Sequence, residues 1–103
     1  MTIMKRVPSS LSDELHAVIK LNEELGELTK EASKALALLC VNKPIPEPLR
    51  QKLTLEVADV LAASEVLIEE LRLDRQDITP RIKLKIRRAR SRKARRNHED
   101  SQA

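Results

Sequence analysis

Between Leu11 and Leu39 the apolar residues return at steps of three and four: Leu11, Leu15, Val18, Leu21, Leu25, Leu28, Ala32, Leu36 and Leu39. That is the period of an apolar stripe on an α-helix, and it predicts one long helix reaching about Val41. Ser10 or Ser12 can cap its start, with Asp13 and Glu14 suited to the positive end of the helix dipole. The segment Asn42-Lys43-Pro44-Ile45-Pro46-Glu47-Pro48 then places three prolines in five positions. A helix cannot continue through it, so it reads as the connection of a helical hairpin. A second helix is expected from Pro48 or Leu49 to about Leu73, with Leu53, Val57, Val60, Leu61, Leu67, Ile68 and Leu71 as its main apolar face. Asp74-Arg75-Gln76-Asp77 breaks the pattern; Asp77 or Thr79 can cap a third helix, whose first turn tolerates Pro80. Ile82, Leu84 and Ile86 alternate with basic residues, a pattern also open to a short strand. Helix is favoured, because a lone strand finds no partner in this chain.

Composition narrows the fold class. Apolar residues make up 41% of the 103 residues, and none is Phe, Tyr or Trp. A Leu-rich core without aromatics, in a chain with one Gly, suits packed helices and not sheets. The expected fold is all-α: a long hairpin and a third, basic helix, forming a helical bundle by self-association. In domain terms, 1–9 reads as a flexible leader, 10–90 as the helical domain, and 91–103 as a basic and polar tail that frays for want of apolar anchors. Self-association is expected because a hairpin of this size is marginal alone. No run of about 18 uninterrupted apolar residues is present, so no membrane-spanning helix is expected. Lys5 and Arg6 are followed by Val7-Pro8-Ser9-Ser10, unlike the apolar core of a signal peptide. Cys40 is the only cysteine, which excludes an internal disulfide and fits a reducing cytoplasm.

Charge is unevenly distributed behind a net +4. Residues 1–80 hold ten Lys or Arg and fourteen Asp or Glu, whereas 81–96 hold ten Lys or Arg and no acid. An acidic body carries a basic C-terminal segment.

The sharpest chemical signal lies in Leu53-Thr54-Leu55-Glu56-Val57-Ala58-Asp59-Val60-Leu61-Ala62-Ala63, where Glu56 and Asp59 are the only charges. Three residues apart, they share one side of the helix. Leu55, Val66 and Leu73 border that side on one flank, and Val60 and Leu67 on the other, while Gln51, Thr54, Ala58, Glu65 and Glu69 mark the ordinary solvent face. Carboxylates held together beside apolar packing need a cation or a proton. Lys52, one turn before Glu56, is the ordinary candidate. The first helix carries a second acidic group, Glu23-Glu24-Leu25-Gly26-Glu27. Lys20, Lys30, Glu31 and Lys34 nearby fit a solvated, ion-paired face. Gly26 points the other way: a mid-helix glycine costs about 0.5–1 kcal/mol relative to Ala, which usually signals packing or close approach. Glu24 lies 20 residues before Pro44 and Glu56 eight after Pro48. The simplest hairpin therefore offsets the groups by roughly 18 Å at about 1.5 Å per residue. Facing each other, these acids would suit a hard cation such as Mg²⁺ or Mn²⁺. His16 and His98 are isolated and read as surface polar groups.

Glu23-Glu24-x-x-Glu27, then 28 residues, then Glu56-x-x-Asp59, resembles the paired motif of the MazG-like all-α nucleoside-triphosphate pyrophosphohydrolases. Leu25-Gly26-Glu27-Leu28 and Asp59-Val60-Leu61 add local similarity, and the resemblance covers about residues 12–90. It implies a helical bundle assembled as a homodimer or homotetramer, cleaving a nucleoside triphosphate between its α- and β-phosphates to NMP and pyrophosphate. It further implies Glu24, Glu27, Glu56 and Asp59 as Mg²⁺ ligands and Glu23 as the residue that orients water or acts as base. Lys83, Lys85 and Arg88 stand in the region where the family holds phosphate. The chain departs from the pattern at Ala89, where an Asn is frequent, and in having no aromatic ring for base stacking.

The basic run from Arg81 to Arg96 also admits a different class of function. A dense cationic segment attracts phosphate without regard to sequence, which fits a non-catalytic helical adaptor for nucleic acid or an acidic partner. A solvated helix end is the plain alternative. The enzyme reading is preferred because the adaptor leaves the acid stripe of the second helix without a role.

Overall fold

The computed structural model describes the backbone of residues 2–102 and the side chains of residues 11–102. It contains three helices: α1 (Thr2–Cys40), α2 (Glu47–Leu71) and α3 (Arg75–Gln102). Among the described residues there is no strand, so Ile82, Leu84 and Ile86 are helical and the chain is all-α. The fold divides into two units, residues 1–73 and residues 74–103.

The first unit is the α1–α2 hairpin, and the two helices pack on each other. Two helix ends are set by backbone hydrogen bonds. At the end of α1, Lys43 N–H donates to Leu38 O at 2.9 Å and Asn42 N–H to Leu39 O at 3.0 Å, with Asn42 left-handed at φ 60°. This is a Schellman termination, and Asn is among the side chains that tolerate it best. The same motif ends α2, where Leu73 N–H donates to Ile68 O and Arg72 takes the left-handed position at φ 53°. Between the helices Arg50 Nε donates to Ile45 O at 3.1 Å, tying the proline segment to the first turns of α2.

The packing seam follows a strict alternation of four and three. Among the described side chains of α1, the buried and half-buried ones are Glu14, Ala17, Leu21, Glu24, Leu28, Glu31, Ala35 and Leu38. On α2 the matching series is Leu49, Leu53, Glu56, Val60, Ala63, Leu67 and Glu70. This is an antiparallel coiled-coil seam. Counting outward from Cys40 and Glu47, Leu38 is level with Leu49, Glu31 with Glu56, Glu24 with Ala63, and Ala17 with Glu70. By this count Glu24 and Glu70 come level with alanines and Glu31 comes level with Glu56.

This arrangement departs from the most regular stripe in the sequence. Leu21 and Leu28 enter the seam, but Leu11, Leu15, Val18, Leu25, Leu36 and Leu39 are exposed, Leu36 at 62%. They sit one position beyond the seam on α1, where no charge occurs from Leu15 to Leu39. Val57 and Leu61 occupy the equivalent flank of α2, Leu61 also at 62%. The opposite flank carries Lys20, Glu23, Glu27, Lys30 and Lys34 from α1, and Lys52 and Asp59 from α2. One flank of the hairpin is mainly aliphatic, and the other carries these charges together with exposed Leu55 and Val66.

α1 begins at Thr2, so the residues 1–9 read as a leader fall within its span; Met1 lies outside the described residues, as do the side chains of 2–10. Ser12 does not cap: its carbonyl accepts from His16 Nδ1 at 2.8 Å inside a continuing helix. In the second unit, Asp74 is the cap of α3 in place of Asp77 or Thr79. Its Oδ1 accepts from Gln76 N–H at 2.8 Å, and its carbonyl receives Asp77 and Ile78 N–H. Pro80 is tolerated in the second turn. α3 continues through 91–102 because Arg, Lys, Ala and Gln favour helix and no Gly or Pro follows Pro80.

Candidate functional site

The acidic groups of α1 and α2 lie on the hairpin's seam and on its charged flank. Glu56, nine residues after the start of α2, is 7% exposed; Glu31, nine residues before the end of α1, is 4% exposed. Lys34 Nζ approaches Glu31 Oε1 at 3.2 Å on the same helix, so Glu31 has a counter-charge. Glu56 makes no hydrogen bond or ion pair among the described residues, and Lys52 is not its partner. A glutamate at a coiled-coil seam position takes the place of a large aliphatic side chain and weakens the packing there.

Glu24 and Asp59 come together from different helices. With Lys20, Ala62, Ala63 and Val66 they line a cleft of about 180 Å³. Lys20 Nζ lies 3.4 Å from Glu24 Oε2, one turn along α1. Glu24 is half-buried and Asp59 exposed. Their convergence follows from register: Glu24 lies sixteen residues before the end of α1 and Asp59 twelve after the start of α2, one helical turn apart. The offset between Glu24 and Glu56 is seven residues, about 10 Å, well below the 18 Å obtained by counting to the prolines. α1 ends four residues before Pro44 and α2 begins one residue before Pro48, which removes five residues from the offset.

The remaining expected residues are dispersed. Glu27 is one turn from Glu24 on the charged flank and exposed, and Glu23 is exposed beside it. Lys83, Lys85 and Arg88 are exposed on α3, in the second unit; Lys85 and Arg88 share one side of that helix and Lys83 points roughly opposite. Among the described residues, no three His, Cys, Asp or Glu side chains close around a point that could hold a metal ion. Two carboxylates in one cleft nevertheless match Mg²⁺, which keeps several waters and takes one or two protein carboxylates, leaving positions for phosphate oxygens.

A larger cleft of about 820 Å³ opens on the same flank beside the connection. It is lined by Lys30, Glu31, Lys34 and Lys52, with an apolar floor that includes Leu38, Pro46 and Leu49. Its three lysines were not legible as a group in the sequence, where Lys30 and Lys34 read as part of a solvated face. The signal that reveals them is the hairpin register, which brings Lys52 across from Lys34. Gly26, read as a close-approach position, has open space: a Cβ built on it meets nothing within 4 Å. Among the described residues no helix is long and apolar enough to cross a membrane. No protein-family model, no curated protein and no solved structure matches the chain.

Proposed function

We propose that the chain is a Mg²⁺-dependent nucleoside-triphosphate pyrophosphohydrolase of the MazG-like kind, working from the charged flank of the hairpin and assembled as a homodimer or homotetramer through the apolar flank. The observation that carries this reading is the pair of carboxylates, Glu24 and Asp59, that two helices contribute to one cleft. Glu56 strengthens it, as a seam carboxylate with no partner within a turn of Asp59. Its side chain packs in the seam while its carboxylate oxygens reach solvent without a counter-charge, a placement suited to a carboxylate that meets an incoming cation.

In this reading Glu24 and Asp59 hold Mg²⁺ (or Mn²⁺), with Glu27 and Glu56 each one turn away on their helices. When bound, the metal neutralises phosphate charge and activates a water. Glu23, exposed on the same flank, is the candidate base. Lys30, Lys34 and Lys52 supply positive charge further along that flank, suited to the polyphosphate that departs as pyrophosphate. The absence of aromatic rings leaves the nucleobase to aliphatic and backbone contacts.

The test is release of NMP and pyrophosphate from a panel of NTPs and dNTPs with Mg²⁺, Mn²⁺ or EDTA, for the wild type, Glu56→Gln and Asp59→Asn. The expected result is metal-dependent release of both products, lost in Asp59→Asn and strongly reduced in Glu56→Gln. A folded wild-type protein that releases neither product from any nucleotide overturns the reading.

A further inference from the structure

α3 carries a charge pattern that hydrolysis of a free nucleotide does not require. Between Asp77 and Glu99 the helix has no acid, and residues 81–96 hold ten Lys or Arg, all exposed. At about 1.5 Å per residue those sixteen positions span roughly 24 Å, or one cation per 2.4 Å or so. Many of them are like-charged neighbours three or four residues apart, such as Arg81–Lys85, Lys85–Arg88 and Arg88–Arg92, and such pairs destabilise an isolated helix. A segment built this way gains from a dense, linear polyanion laid along it. Double-stranded DNA carries a phosphate per about 1.7 Å of axis, the closest common match in spacing.

The angular distribution separates the candidate partners. With about 100° between successive residues, Arg81, Lys85, Arg88, Arg92 and Arg95 form one row and Lys83, Arg87 and Arg90 form another on roughly the opposite side, with Lys93 and Arg96 between them. A helix lying on a membrane needs one side of large apolar residues, yet beyond Ile86 the only apolar residues of 87–102 are Ala89 and Ala94. A flat acidic protein surface engages one row and leaves the other in water. The major groove of B-form DNA is about 12 Å wide with phosphates along both rims, and an α-helix with side chains is about 10–12 Å across. Two opposed cationic rows suit that groove.

We propose that α3 binds duplex DNA, lying in the major groove with its two cationic rows on the two phosphate rims and without base-sequence preference. The groove of duplex RNA is too deep and narrow for this placement. Eight rim contacts give a slope of log K against log salt of about −7, equivalent to a weakening of about 2 × 10⁴-fold between 50 and 200 mM salt.

The test uses the full-length chain and a fluorescently labelled 20-base-pair DNA, read by anisotropy across a NaCl series without nucleotide, so that it is independent of hydrolysis. Two variants address the rows separately: R81Q/K85Q/R88Q/R92Q and K83Q/R87Q/R90Q. Gln is a good helix former, and circular dichroism at 222 nm verifies that helicity is kept. The expected outcome is a slope shallower by about 3.6 in the first variant and about 2.7 in the second, with sequence-unrelated duplexes bound alike. Unchanged binding in either variant overturns the two-rim placement. Equal or tighter binding to duplex RNA, polyglutamate or phosphatidylserine vesicles overturns the assignment of DNA as the partner.

Discussion

Replacing Glu56 with Leu should stabilise the hairpin while abolishing hydrolysis. The side chain is 7% exposed, occupies a seam position and is level with Glu31 across the hairpin. Burying a Leu contributes about 1.5–3 kcal/mol, and the two methylenes that Glu56 already buries account for about 1.6 of that. The net apolar gain is therefore about 1 kcal/mol. The carboxylate oxygens of Glu56 reach solvent, so removing them adds little, and Glu31 keeps Lys34. The expected gain is about 1 kcal/mol, or roughly 4–8 °C in Tm for a domain of this size. The chain has no Trp or Tyr, so unfolding is followed by circular dichroism at 222 nm, with wild type and variant at one protein concentration because self-association shifts Tm. A fall in Tm of several degrees would refute the reasoning, since it would mean that the carboxylate itself holds the hairpin together.

Three further substitutions test separate parts of the structure. Gly26→Ala meets open space and should raise stability by about 0.5–1 kcal/mol, measured by urea unfolding; a loss would show that something closes on that position. Arg72→Gly relieves a left-handed residue at the end of α2 and should stabilise by about 1 kcal/mol, with no gain in Tm counting against the Schellman termination there. Leu36→Asp together with Leu61→Asp places charge on two exposed leucines of the apolar flank. Sedimentation velocity should then report a smaller species than the wild type, and an unchanged assembly would exclude this flank as the contact.

The helical content and the hairpin were legible because they rest on local signals. Three prolines force the chain to turn, and a long run of apolar residues at steps of three and four forces a helix. The seam was legible in part: Leu21 and Leu28 of the α1 stripe and Leu53, Val60 and Leu67 of the expected α2 face lie in it, but it also closes on Ala17, Ala35 and Ala63 with Glu31 and Glu56 among them. Alanine carries little weight in a hydrophobic pattern, and a buried acid counts against it, while most of the regular leucine stripe lies on the exposed flank. The candidate site was legible in residue type and less so in register. Glu24 and Asp59 share a cleft, whereas counting to the prolines sets the two acidic groups roughly 18 Å apart. Glu31 was not singled out as a site residue, since only the helix ends at Cys40 and Glu47 set it level with Glu56.

A hairpin selected for its own stability would exchange these surfaces, with Leu25, Leu36 and Leu61 in the seam and the acids in water. The observed arrangement carries two costs at once: a seam in which Ala17, Ala35, Ala63, Glu31 and Glu56 take places that large aliphatic side chains would fill, and a flank of large aliphatic side chains left in solvent. Either cost alone could be an accident of a small domain. Together they have one economical explanation. A second copy covering the apolar flank recovers the area that the seam forgoes, since burying a Leu or Val of this size contributes about 1.5–3 kcal/mol. The seam is then free to carry carboxylates, and the charged flank, with the Glu24–Asp59 cleft and the three lysines, is the side left for substrate. Assembly and chemistry are in this sense one requirement. It follows that Leu36→Asp with Leu61→Asp should lower hydrolysis as it lowers assembly, although neither residue lines either cleft.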